Sequence, residues 1–408
     1  MCIKLSIISA GALPIPATKG GGVETLIQYF IDENEQNGEF EIVLYTVSGA
    51  EHLQARYRNT KFINIARKSK IDQLVRYANP ILYGLNRRTV KIPSMHILNS
   101  YEKQVIRCLK RDNSDVVLLE NNLTLLLRKT GINSKIAFHA HYDDVRPGIS
   151  DFDKKRYRYC YQKIDANISV SSFIGRRICE VVGNQTQFFT VQNCIDIERF
   201  KCISDETVSI TKEKYGIPES VPVIMYSGRI TEEKGIRQLL SAFQKVSAES
   251  CLVIVGGVFY SDNSENEFLL ELKEMAHLCK NPVVFTGYID YSEMPEVWSM
   301  ADIAVVPTFA VEEAAGLVVI EAMAAGKPVI ISDSGAMREY VAENCALLIN
   351  RDDLFVDKMA ESIDYLCKNE TARQTMGINA KVFSLNWDKK QFYQNMSDAI
   401  IQIYKGEE

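Results

Sequence analysis

The stretch from Asp302 to Ser332 leaves the chain few ways to fold. It holds a short apolar run, Ile303 to Pro307, and a loop with adjacent glutamates, Glu312 and Glu313. A helical segment then opens near Gly316, and a second apolar run spans Pro328 to Ile331. Two such runs separated by a helical segment imply a βαβ unit in a parallel sheet. The loop and the helix start then lie at the carboxyl ends of the strands, where open α/β sheets bind ligands. Gly316 allows close approach to the backbone, and the N–H groups and dipole of a first helical turn favour an anion such as phosphate. Glu313 and Glu321 stand eight residues apart around that place. A carboxylate beside an anion is unfavourable unless it accepts hydrogen bonds from neutral hydroxyls, such as those of ribose or a hexose. The combination points to a nucleotide sugar; the plain alternative is an acidic loop and a solvated helix face.

A length of 408 residues suffices for two domains, each with its own core. Hydrophobic content of 46% and charged content of 24% are those of a globular protein. A net charge of −5 argues against a general nucleic-acid binder, so no nucleic-acid partner is expected. The opening MCIKLSIISAG reads as a strand running into a glycine and not as a signal peptide. No apolar run approaches the ~20 residues that span a bilayer. Ten scattered cysteines without a C-x-x-C pair read as reduced thiols of a cytoplasmic protein.

In the first half, a strand from Ile3 to Ser9 leads through Gly20, Gly21 and Gly22 to a helix from about Val23. This arrangement lets phosphate approach, although its spacing fits neither a Walker loop nor G-x-G-x-x-G. After a strand from Glu41 to Thr46, the segment Lys61–Lys91 carries eight basic residues and one acid, Asp72, interleaved with apolar and aromatic side chains. It reads either as a solvated basic face or as a surface for an anionic membrane; the KKRYR run at Lys154–Arg158 adds to the second reading. A helix is expected near Ser94 to Lys110, then strands from Asp115 to Leu119 and from Lys135 to His141. Alternation puts His139 and His141 on one side of the last strand. With Asp143 and Asp144 they suggest a metal, but no third ligand lies at a recognisable spacing and none is expected.

In the second half, a strand from Val223 to Tyr226 runs into SGRITEEKGIRQLL. Arg229 and Lys234, ahead of a helix at about Gly235, suit a diphosphate leaving group whose charge grows in the transition state. Strands follow at Cys251 to Val255 and Val283 to Thr286, the latter ending in Gly287, Tyr288 and Ile289. Helices are expected at about Asp353 to Cys367 and Thr371 to Ser384, then an amphipathic segment to Tyr404.

These motifs together resemble the retaining GT-B glycosyltransferases, most closely glycosyltransferase family 4 (glycosyl transferases group 1). Glu313 and Glu321 match the family's EX7E motif, Gly228, Arg229 and Lys234 its pyrophosphate loop, and Gly21, Gly22 and Glu24 its GG-x-E. Gly335 and Glu339 match a further element. Asn193, Asp196 and Phe200 match an interdomain signature, in which Cys194 replaces a glycine and puts the backbone conformation in question. The resemblance implies an α/β fold of two Rossmann-like domains facing across a cleft, with the last helix crossing back. Residues 1–195, with 386–408, would bind the acceptor, and 196–385 the donor. It implies that Glu313 sits by the donor sugar, Glu321 holds the ribose, and Arg229 and Lys234 take the phosphates, with His141 reaching the sugar. Gly287, Tyr288, Ile289, Ala315, Gly316 and Leu317 would complete the donor site. No metal or cofactor is implied beyond the nucleotide sugar, with UDP the first base to expect. The acceptor would be a saccharide or lipid-linked saccharide in polysaccharide or glycoconjugate biosynthesis, and the enzyme cytoplasmic or peripheral at the inner membrane face. Ala314 and Ala315 replace the family's Pro-Phe and leave the donor sugar open. A non-catalytic saccharide-binding or scaffolding relative is the alternative; retention of Arg229, Lys234, Glu313 and Glu321 disfavours it. A GT-B epimerase fits the histidine and acid pattern less well.

Overall fold

A computed structural model describes residues 2–18, 21–89, 91–127, 131–142, 145, 148–183, 186–200, 203–258, 266–309 and 313–406. The chain divides into two compact units, 1–193 with 389–408, and 194–388.

In the first unit, strands β1 (Ile3–Ile8), β2 (Phe40–Val47), β3 (Thr60–Ile65), β4 (Val116–Glu120), β5 (Lys135–Ala140), β6 (Ala166–Ser169) and β7 (Gln187–Thr190) form one parallel sheet. Its order is β3-β2-β1-β4-β5-β6-β7. Helices α1 (Gly22–Asn37), α2 (Ser69–Arg88), α3 (Ser100–Leu109), α4 (Asp151–Tyr161) and α5 (Ser172–Val182) connect the strands. Every residue of β4 is buried, because central strands of a parallel sheet are covered on both faces and read as unbroken apolar runs. The helix expected from Ser94 starts only at Ser100. There Asn99 accepts the Glu102 N–H at 2.9 Å, while the Glu102 carboxylate accepts the Asn99 N–H at 2.8 Å. This reciprocal capping box sets the start.

The second unit repeats the plan. Strands β8 (Val223–Ser227), β9 (Cys251–Val255), β10 (Val283–Gly287), β11 (Ile303–Val306), β12 (Val329–Ser332) and β13 (Ala346–Ile349) run parallel in the order β10-β9-β8-β11-β12-β13. Its helices are α6 (Asp205–Tyr215), α7 (Ile236–Phe243), α8 (Glu267–His277), α9 (Met294–Ser299), α10 (Leu317–Ala324), α11 (Phe355–Lys368) and α12 (Glu370–Ser384). The βαβ unit expected between Asp302 and Ser332 is β11-α10-β12. Strand order reverses between β1 and β4 in one sheet and between β8 and β11 in the other. Such switch points open a crevice at the strands' carboxyl ends. Both units are therefore Rossmann-like.

The Ile195 N–H donates to the Trp387 carbonyl at 3.1 Å, and Ile195 bridges to Asp388. That bridge keeps both linking segments with the second unit. Cys194 is buried, and among the described non-glycine residues positive φ occurs at Lys91 and Asn121, not at Cys194. Its replacement of glycine therefore carries no backbone strain.

The final helix α13 (Lys389–Lys405) belongs to the first unit and packs on α1. Its apolar face buries Phe392, Tyr393, Met396, Ile400 and Ile403. The Tyr393 ring lies 5.2 Å from that of Phe30, and its hydroxyl donates to Asn34 Oδ1 at 3.1 Å. Truncating Phe392 to Ala should cost about 3–5 kcal/mol in urea unfolding, whereas Tyr393→Phe should cost only about 1 kcal/mol. A loss below 1 kcal/mol for Phe392→Ala would mean that α13 contributes no core.

Candidate active site

The second unit gathers its polar side chains at the switch point. Beyond β8, Gly228 adopts φ 152° and its N–H donates to the Val255 carbonyl at 3.0 Å. The Tyr226 hydroxyl donates to the Arg229 carbonyl at 2.7 Å and fixes the turn. The Arg229 guanidinium is exposed, 3.8 Å from Glu233, a weak solvated pair. Gly235, at φ 74°, sits where a Cβ would overlap the Pro307 carbonyl, and the Phe309 N–H donates to the Glu233 carbonyl at 2.7 Å. The loops after β8 and β11 are thus locked together. Their contact places Lys234 Nζ 2.5 Å from Glu313 Oε2, and Thr308 Oγ1 donates to the same oxygen at 3.3 Å. Glu313 is also held through its backbone: its carbonyl accepts the Ala336 N–H at 2.9 Å, and Gly335 packs so closely that a Cβ would overlap it. Lys234 and Glu313 are 23% and 18% exposed, open enough to meet a ligand. Glu312 lies outside the described residues.

Helix α10 starts beside this pair in sequence, with Gly316 as its N-cap and no side chain capping it. Gly316 has an ordinary φ of −95°; what favours glycine is the Tyr340 ring, 3.1 Å from where a Cβ would sit. Ala315 and Leu317 on either side are partly buried. Glu321, within α10, is only 7% exposed and accepts the Trp298 indole N–H at 3.2 Å. Burial pushes its carboxyl up to about 7, against the smaller opposing effects of the Trp298 bond and the Arg199 charge. On the same edge of the sheet β10 ends at Gly287, whose carbonyl accepts the Gly256 N–H at 3.0 Å. Tyr288 is exposed and Ile289 partly buried.

The first unit has its own cluster, at the carboxyl ends of β4 and β5. His139 Nδ1 lies 3.0 Å and His141 Nε2 2.6 Å from one oxygen, Glu120 Oε2, and the imidazole centroids are 4.0 Å apart. The histidines do share a side, although β5 ends one residue before His141. Sequence reasoning missed Glu120. It pairs with His139 in register across β4 and β5, a proximity that no sequence spacing reveals. The available signal was a carboxylate closing an otherwise apolar strand. Burial alone would raise the Glu120 carboxyl, but the two imidazoles outweigh it and hold it well below the usual range. Burial, then His139, holds His141 below its usual value despite Glu120. At neutral pH the carboxylate is ionised and His141 neutral, its Nε2–H donating to Glu120 and its Nδ1 an acceptor. The three ligand atoms lie within 4.8 Å of one another and are of a kind that holds divalent cations. Asp143 and Asp144 lie outside the described residues. Nearby in sequence to β1, Gly21 takes φ 105° at the start of α1, where a Cβ would overlap the buried Glu24 carboxylate. Around Gly22 the corresponding space is open. Gly20 lies outside the described residues.

Residues 208–383 match the family model of glycosyl transferases group 1. A putative glycosyltransferase of Bacillus subtilis, YtcC, is 25% identical over 399 residues, covering 93% of this chain and 87% of that protein. A GDP-mannose-dependent monoacylated alpha-(1-6)-phosphatidylinositol monomannoside mannosyltransferase of Corynebacterium glutamicum is 27% identical over 252 residues, 60% of this chain and 64% of that one. Among solved structures, Anabaena HepE in complex with UDP and glucose superposes with a TM-score of 0.72 at 17% identity, over 98% of this chain and all of that one. The chain thus shares the GT-B fold, with two Rossmann-like units.

The raised Glu321 value has a signed consequence. The native carboxyl holds its proton to about pH 7 whereas an unfolded one loses it near 4.5, so the native state binds more protons between those values and loses stability as pH rises. Glu321→Gln should abolish that decline, which amounts to roughly 3 kcal/mol by pH 7.5. Urea midpoints of both proteins from pH 5 to 8 test this, and parallel curves would refute it.

Proposed function

We propose that the chain is a retaining, metal-independent glycosyltransferase. In this reading it moves a hexose from a nucleoside-diphosphate sugar, UDP being the first base to test, to a saccharide or lipid-linked saccharide during polysaccharide or glycoconjugate assembly in the cytoplasm. The observation that carries the reading is the half-buried Lys234–Glu313 pair at the switch point, with the under-partnered carboxyl of Glu321 on the helix that follows. Arg229, Lys234 and the uncapped start of α10 supply positive charge for a departing diphosphate, which is where preorganised charge lowers a transfer barrier most. Glu313 polarises the donor sugar, and Glu321 accepts the ribose hydroxyls that its buried carboxyl otherwise lacks. Neutral His141 can accept one hydroxyl at Nδ1. For retention, the departing phosphate oxygen takes the acceptor's proton on the face from which it leaves. The UDP and glucose held by Anabaena HepE, and the GDP-mannose dependence of the Corynebacterium relative, make UDP and GDP the leading bases.

Thermal shift of the purified protein against UDP, GDP, ADP, CMP and dTDP, with and without EDTA, tests this directly. A native-state ligand at a hundred times its Kd should stabilise by about 2.7 kcal/mol. One nucleotide is expected to do so in the presence of EDTA, and Glu321→Ala to lose the effect. Arg229→Ala or Lys234→Ala should lower turnover by about 10²–10³-fold with the fold intact. If no nucleotide stabilises the protein, the non-catalytic saccharide-binding reading replaces this one.

A further inference from the structure

Helix α2 has two unlike faces. Its inner face buries Val75 and is tied by polar side chains to the chain that follows: Asn86 pairs with the Ile92 backbone at 2.7 and 2.8 Å, Asn79 with that of Ile97 at 2.9 Å in both directions, and Asp72 with the Ser100 N–H and hydroxyl at 2.8 and 2.6 Å. Its outer face is apolar. Ile71, Leu74, Tyr77, Ile81 and Leu85 are 48%, 70%, 73%, 65% and 59% exposed. Their spacing of three and four residues lines them along one side of the helix. Scattered exposed apolar residues are ordinary, but a continuous stripe of five on one helix marks a surface that something covers.

The surrounding charge identifies the cover. All eight basic residues from Lys61 to Lys91 are exposed, and the one acid among them, Asp72, is engaged with Ser100. The second basic run, Lys154–Arg158, lies on α4, which touches α2. The Tyr83 hydroxyl donates to Asp153 at 2.6 Å, its ring lies 5.8 Å from that of Phe152, and the Arg156 guanidinium lies 5.7 Å from the Tyr83 centroid. These contacts seat α4, with Lys154, Lys155, Arg156 and Arg158, beside α2. A second copy of the chain would bring like charges together across such a face, which disfavours self-pairing. We propose that α2 docks on an anionic lipid bilayer, its apolar stripe among the upper acyl chains and its cations at the phosphates. No described helix is long and apolar enough to cross a membrane, so the attachment is peripheral. If the glycosyl-transfer reading holds, docking selects the lipid-linked class of acceptor; the docking itself does not rest on that reading.

The test is co-sedimentation of the full chain with vesicles of phosphatidylcholine alone or mixed equally with phosphatidylglycerol, at low and high salt. Wild type should partition at least about tenfold more strongly to the anionic vesicles and lose most of that binding at high salt. Leu74→Gln with Ile81→Gln, and separately Arg87→Glu with Arg88→Glu, should each reduce partitioning by about tenfold or more. Melting temperatures and nucleotide stabilisation should stay at wild-type values, since none of these residues belongs to the donor site. Absence of wild-type binding, or wild-type binding by both variants, overturns the proposal. So does a light-scattering dimer that the Leu74 and Ile81 substitutions convert to monomer, because the stripe would then serve a second copy. Vesicle binding without nucleotide stabilisation would sink the transferase reading and leave this one standing.

Discussion

The reversal of strand order between β8 and β11 is the constraint from which the donor-side geometry follows. Adjacent parallel strands whose connections leave in opposite directions cannot cover their shared carboxyl edge, so two loops must meet above it. Their backbone groups are partly withdrawn from water and need partners. The Phe309 N–H on the Glu233 carbonyl and the Ala336 N–H on the Glu313 carbonyl supply them. The loops can come that close only because Gly235 and Gly335 lack side chains. Lys234 and Glu313, remote in sequence, are brought together by backbone packing that would persist without their charges.

Two buried carboxyls show how partners decide chemistry at equal burial. Glu120 and Glu321 are both almost wholly withdrawn from solvent. Glu120 meets two imidazole nitrogens and stays ionised; Glu321 meets one indole N–H and is held up at about 7. Desolvation penalises the charged form in both; the two differ in the hydrogen bonds and in the charge that their partners bring. Glu120 therefore orients His139 and His141 as a preassembled unit. Glu321 retains acceptor capacity that a ligand hydroxyl can use.

How much of this could be read from the sequence depended on whether the cause was local. Strands such as Val223–Ser227 and Ile303–Val306 announce themselves, because burial on both faces demands unbroken apolar runs. The α3 start is also written locally: Asn99 and Glu102 have capping-box spacing. Glycine positions were legible but not their reasons. Gly316 is favoured by the Tyr340 ring and not by its φ, and that ring arrives from beyond β12. Glu120 could not be placed at all, since its meeting with His139 depends on which strands are neighbours.

The Lys234–Glu313 pair also bears on how a donor would be received. An ammonium left unpaired in a partly dry crevice would collect whatever anion was nearby, and an unpaired carboxylate would raise its own desolvation cost. Each neutralises the other while the site waits. A diphosphate offers Lys234 more negative charge than one carboxylate can, so in the proposed reaction the ammonium turns to the phosphates. Glu313 then faces the sugar hydroxyls with its charge uncompensated. Thr308 and the backbone bonds around Glu313 hold that carboxylate nearly in place through the exchange, so little reorganisation accompanies binding. The exchange makes the charge that favours the leaving group available only once a diphosphate is present.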